Sequence, residues 1–103
     1  MNETSTRVAL GAAVLDEYRP DWAYEIDVLT LNMADPVYCI LGQLYGGNYT
    51  TPMENLAALD GMEDEYNACL WAERNGFDVD MDNSYEELQK AWRLEIAERM
   101  VVR

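Results

Sequence analysis

Residues 78–89 read DVDMDNSYEELQ. Asp78, Asp80 and Asp82 fall at positions 1, 3 and 5 of a calcium-binding loop, and Glu86 falls at position 9. Hard cations favour such clusters of oxygen ligands. Two defining features are missing. Position 6 needs glycine for a sharp turn and is Asn83; position 12 needs a bidentate glutamate and is Gln89. The plainer reading is an acidic loop entering a helix at Ser84, with negative charge complementing the helix N-terminus. A calcium-dependent module is kept as an alternative, but no metal ligand and no cofactor are assigned.

The other reactive residue types point the same way. A nucleophilic cysteine needs a base or a positive neighbour. The chain has no histidine, so every His-based mechanism is excluded. Cys39 and Cys69 are expected on apolar helix faces as buried structural residues, and two cysteines are too few for a disulfide scaffold. Twenty acids guarantee many chance carboxylate pairs, so spacing selects none for acid–base work. LGQLYGGNYTT could suggest a phosphate-cradling loop, which usually has a lysine nearby. No Lys or Arg lies between Arg19 and Arg74, so Gly46-Gly47 reads as a helix stop. Gln43, set among Ile40, Leu41 and Leu44, is expected to reach a backbone group in the core. Tyr38, Tyr45 and Tyr49 either finish the core or line a partner surface. No catalytic residue is assigned, and an enzyme is not expected.

Charge is the most distinctive property. The 103 residues carry 20 acids and 7 bases, net −13. Segment 60–87 holds ten acids against Arg74 alone, net −9 (Asp60, Glu63, Asp64, Glu65, Glu73, Asp78, Asp80, Asp82, Glu86, Glu87). Segment 88–103 has Lys90, Arg93, Arg99 and Arg103 against Glu95 and Glu98, net +2. Direct nucleic-acid binding is excluded, because it needs basic residues to replace counterions. Anionic membranes are likewise repelled. No apolar run approaches the roughly 20 residues of a membrane helix, and the N-terminus lacks a basic leader region. A reducing cytoplasm is the expected location.

The elements that hold these residues read as helical. Val8, Ala12 and Leu15 predict a helix over about 5–18, which ends before Pro20. DWAYEIDVLTLNMA predicts a bend or single turn that pins Trp22 to the core. Asp35-Pro36 predicts the start of a helix with a Val37, Ile40, Leu41, Leu44 stripe. Thr51, Pro52 and Glu54 predict a capping box, with Met53, Leu56 and Leu59 facing inward. The next helix carries Tyr66, Cys69 and Leu70 on one side and ends at Asn75-Gly76-Phe77. Ser84 and Glu87 form a second capping box before a helix over about 85–100, with Tyr85, Leu88, Trp92, Ile96 and Met100 on one face. The expectation is a single all-α domain, a bundle of about four to five short helices.

CILGQLYGGNY, NGF and YEELQKAWRLEI, together with DEYRPDWAYEID, resemble a group of small acidic proteins of actinobacteria and their phages. The similar segments cover roughly the C-terminal two-thirds. The resemblance implies a cytoplasmic phage or bacterial accessory protein, and carries over no activity and no site residue.

The sequence therefore points to a non-catalytic interaction module. Its acidic surface, Asp60, Glu63, Asp64, Glu65, Asp78, Asp80, Asp82 and Glu86, would dock on a basic protein partner and could imitate nucleic-acid phosphate. A second reading is a self-assembling scaffolding protein, with exposed aromatic and Met side chains forming a homo-oligomer.

Overall fold

The computed structural model describes residues 3–61, 65–81 and 83–100, with residues 65 and 66 described as backbone only. The fold is all-α, as the sequence predicts. Its helices are α1 (Glu3–Tyr18), α2 (Trp22–Glu25), α3 (Ile40–Leu44), α4 (Thr50–Leu59), α5 (Glu65–Arg74) and α6 (Tyr85–Met100). No strand occurs among the described residues. None of these helices is long and apolar enough to cross a membrane.

The two long helices form the frame. Thr4, Val8, Gly11, Ala12 and Leu15 bury one stripe of α1, and Leu88, Ala91, Trp92 and Ile96 bury one stripe of α6. The stripes recur at three- and four-residue steps, so each helix presents one apolar face, and α1 docks chiefly on α6. Ser84 Oγ accepts the Glu87 N–H at 3.2 Å, which satisfies an orphan donor and starts α6 where the sequence predicts.

A row of aromatic rings runs through the interior. Trp22 meets Trp92 edge-on at 5.6 Å, Trp92 stacks on Phe77 at 5.3 Å, and Phe77 stacks on Trp71 at 5.4 Å. All three indole N–H groups have acceptors. Trp22 donates to Asp16 at 2.8 Å, Trp71 to Asp60 at 2.7 Å, and Trp92 to the Gly76 carbonyl at 2.6 Å. A buried donor left without an acceptor costs about 1–3 kcal/mol, so each bond fixes where its ring can sit.

The Gly76 bond depends on how α5 ends. Phe77 N–H donates to the Ala72 carbonyl at 2.8 Å and Gly76 N–H to the Glu73 carbonyl at 3.4 Å, the paired bonds of a glycine cap. Gly76 has φ of 74°, a region costly for side-chain-bearing residues. A Cβ there would lie 2.7 Å from Val8 Cα. A Cβ on Gly11 would lie 2.0 Å from the Asn75 carbonyl oxygen. Gly11 weakens α1 as an isolated helix but lets α1 press against the end of α5.

Several local expectations shift. The 35–39 stretch is a separate turn, in which Asp35 Oδ1 accepts the Val37 N–H at 2.8 Å. The α3 helix starts one turn later, capped by Cys39 Sγ, which accepts the Gly42 N–H at 3.3 Å. Val37 is therefore outside the helix and half-exposed. The α4 helix starts at Thr50, ahead of the predicted Thr51 cap, and Asn48 Oδ1 accepts the Thr51 N–H at 3.3 Å. Its inward face is Pro52, Met53, Leu56 and Ala57, which leaves Leu59 at the edge, 61% exposed. Tyr85 and Met100, at the two ends of α6, are also partly exposed. Gln43 does reach backbone: Oε1 accepts the Asp27 N–H at 2.7 Å, and Nε2 donates to the Asp27 and Tyr38 carbonyls at 3.1 Å each.

Gly11→Ala forces the new methyl into the Asn75 carbonyl and should cost about 3 kcal/mol, the upper part of the usual range for overpacking. Chemical denaturation checks this. A loss smaller than about 0.5 kcal/mol, typical of an indifferent surface change, contradicts the close approach of α1 to α5.

Candidate functional site

The acidic connection between α5 and α6 is held to the frame by its own charges. Arg7 of α1 contacts the Asp80 carboxylate directly and also pairs with Glu3 at 2.6 Å. Asp80 N–H donates to Asn83 Oδ1 at 2.9 Å, and Asn83 Nδ2 donates to Thr4 Oγ1 at 3.3 Å. Thr4, buried at the start of α1, donates to Glu87 Oε2 at 3.4 Å. The loop is thus latched to α1 at Thr4 and Arg7, one turn apart.

Asp78 sits beside this latch. Its Oδ1 accepts the Val79 N–H at 2.8 Å and the Tyr85 hydroxyl at 3.2 Å. Glu86 is exposed in the first turn of α6. The structure therefore brings Asp78, Asp80 and Glu86 to the α5–α6 connection. Asp60 lies elsewhere, just past α4, with Oδ2 on the Trp71 indole. Glu63, Asp64 and Asp82 lie outside the described residues, and Glu65 is described only as the first backbone position of α5.

The same geometry bears on the calcium-loop pattern. Asp80, at its third position, is paired with Arg7, and Gln89, at its twelfth, turns away to accept the Met33 N–H at 3.1 Å. Among the described residues, no three His, Cys, Asp or Glu side chains form a metal-binding group.

A small cavity of about 110 Å³ opens next to Asp78. Met33, Pro36, Cys39, Tyr49 and Tyr85 line it with Asp78. The Tyr49 hydroxyl oxygen is buried and has no hydrogen-bond partner. Burial pushes its phenol pKa well up, and the Asp78 charge adds to the shift. Burial also raises the Cys39 thiol, which disfavours the thiolate. Tyr49 stands out in the structure but not in the sequence, where it reads as one of three similar tyrosines. What distinguishes it is a cavity wall built from four stretches: residues 33–39, Tyr49 at the N-cap of α4, Phe77 and Asp78 after α5, and Tyr85 at the start of α6.

One cysteine is misplaced by the sequence reading. Cys39 is buried, whereas Cys69 is exposed. The inward face of α5 is Ala68, Trp71, Ala72 and the capping Asn75. Two small alanines flank Trp71 on that face, so side-chain size misidentifies the buried stripe and turns Cys69 outward.

Compared with protein-family models, with curated proteins and with solved structures, the chain matches none.

A thiol-reactive chromophore should modify one of the two cysteines rapidly in the native protein, and the second only after denaturation. Mass mapping should place the fast site at Cys69. Equal rates, or a fast Cys39, contradict the assigned face of α5.

Proposed function

We propose that the protein is a non-catalytic interaction module that binds a basic protein partner through acidic residues of segment 60–87. The observation that carries this reading is how the basic residues are used. Of seven in the chain, six lie among the described residues, and four of those six are held by internal partners. Arg7 pairs with Glu3 and Asp80, and Arg19 with Glu25 at 2.8 Å. Arg99 pairs with Asp16 at 2.7 Å and Glu95 at 2.8 Å, and Arg93 donates to the Val28 carbonyl at 3.2 Å. Arg7 offsets Asp80 of the acidic segment and the other three are held outside it, so most of the field of that segment is available to a partner of opposite charge.

The absence of histidine from the chain and the buried, high-pKa thiol of Cys39 support a non-catalytic role. A partner that ordinarily holds nucleic acid is the sharper form of the proposal, with carboxylates standing where phosphates would. An accessory protein in the cytoplasm of a bacterium or its phage is the setting that the sequence resemblance suggests.

Titration of the full chain with a lysine-rich decapeptide tests the proposal. Binding should be measurable at low salt and should weaken as salt screens the charges. The triple variant Glu63→Gln, Asp64→Asn, Glu86→Gln should lose about tenfold in affinity, or about 1.4 kcal/mol. The charge-matched variant Glu17→Gln, Glu54→Gln, Glu98→Gln should lose much less. No binding at low salt, or equal losses in the two variants, overturns the proposal.

A further inference from the structure

We propose that the groove along the outer face of α6 is a second docking surface, which takes a short extended segment of a partner protein carrying one acidic side chain between two apolar ones. It is separate from the binding of a basic partner and does not rest on it.

Three observations carry the inference. The first is the build of the groove. Residues 28–33 run beside α6 and are fastened to it twice. Arg93 Nη2 donates to the Val28 carbonyl at 3.2 Å, and the Met33 N–H donates to Gln89 Oε1 at 3.1 Å. Asn32 of this segment and α6 residues from Tyr85 to Leu94 line a groove of about 550 Å³. Ligand sites usually fall at about 300–1,000 Å³. The α6 wall from Tyr85 to Leu94 is about 14 Å long at 1.5 Å rise per residue. An extended chain of about five residues covers the same length.

The second is charge complementarity. Arg7, Arg19 and Arg99 are each paired with carboxylates. Among the described residues, Lys90 and Arg93 are paired with none; both are exposed, and both line the groove. They stand three positions apart on α6, which makes them neighbours on the helix surface. Glu86 also lines the groove, one turn before Lys90. The wall is therefore negative near Tyr85 and positive toward Leu94. A segment with a single carboxylate can meet Lys90 and Arg93. A run of acids or a phosphate chain would also meet Glu86 and the net charge of −13.

The third is the apolar surface at the two ends. Tyr85 is 40% exposed and Leu94 is 60% exposed. Along α6 the order is Tyr85, then Lys90 with Arg93, then Leu94. Aromatic and Arg side chains are enriched where interfaces form. In an extended chain alternate side chains face the same side, about 7 Å apart. Positions 1, 3 and 5 of such a segment then meet Tyr85, Lys90 and Leu94, which sets the order apolar, acidic, apolar.

The test uses the full chain, isotope-labelled, and a blocked pentapeptide of leucine, alanine, glutamate, alanine and leucine. Saturable amide shifts should be confined to residues 28–33 and 85–94. The same peptide with glutamine for glutamate should bind about tenfold more weakly. Lys90→Glu should weaken the glutamate peptide about tenfold, and Leu94→Ala about threefold. Both side chains are exposed, so neither change touches the core. Arg74→Glu, the same kind of charge reversal placed on α5, should change affinity less than about twofold.

Absence of saturable shifts, equal binding of the glutamine peptide, or equal effects of Lys90→Glu and Arg74→Glu overturns the inference. Shifts at the same residues on raising the protein concentration alone also overturn it, because a second copy would then be the occupant.

Discussion

The bond from the Trp92 indole N–H to the Gly76 carbonyl, 2.6 Å long and buried, ties the middle of α6 to the end of α5. It can form only because Gly76 takes a left-handed φ and aims its carbonyl inward. Val8 and Gly11 of α1 then close over the same corner, where any added Cβ would collide. Three helices therefore meet at the Asn75-Gly76 turn. The stacked Phe77 extends the contact to Trp71, and the edge-on Trp22 extends it to α2. Ring pairs of this kind add about 0.5–1.5 kcal/mol each beyond area burial. The larger effect is geometric, because a satisfied indole cannot slide without losing its bond.

The same demand explains part of the acidity. Two of the three indoles are answered by carboxylates, Asp16 and Asp60. Asp16 also receives Arg99, whose guanidinium lies 5.3 Å from the centre of the Trp22 ring. The Arg99 bonds hold the Asp16 carboxyl below the usual carboxylate range, with the Trp22 N–H contributing. Asp80 latches the α5–α6 connection through Arg7. Acidic residues thus do two kinds of work. Some anchor aromatic rings and loops, and the remainder give the exterior its sign. A contiguous run of acids in sequence does not separate the two, because the cations that hold Asp80 and Asp16 lie far away along the chain: 73 positions between Arg7 and Asp80, 83 between Asp16 and Arg99.

What could be read from the sequence was local. The Ser84 cap, the Asn75-Gly76-Phe77 stop and the Trp92 stripe each declare themselves within one or two turns, and each forms as expected. The single turn that buries Trp22 was also legible from its place after Pro20. Errors arose where two residues competed for one role. Asp35 and Cys39 can both cap, and Asp35 takes the earlier turn. In α5, the small Ala68 and Ala72 share the inward face with Trp71, while the larger Cys69 is turned outward. The Asp78 cavity was not legible at all. Its walls come from four separate stretches, and the isolation of the Tyr49 hydroxyl is a property of the folded interior alone.

Hydrogen exchange at the three tryptophan indole N–H groups tests the aromatic row most directly. The Trp92 proton should exchange only through global unfolding, with a protection free energy equal to that from denaturant titration, while the Trp22 and Trp71 protons, bonded to partly solvated carboxylates, exchange faster. A Trp92 proton that exchanges as fast as the other two, or faster, would contradict the central placement of its bond to Gly76.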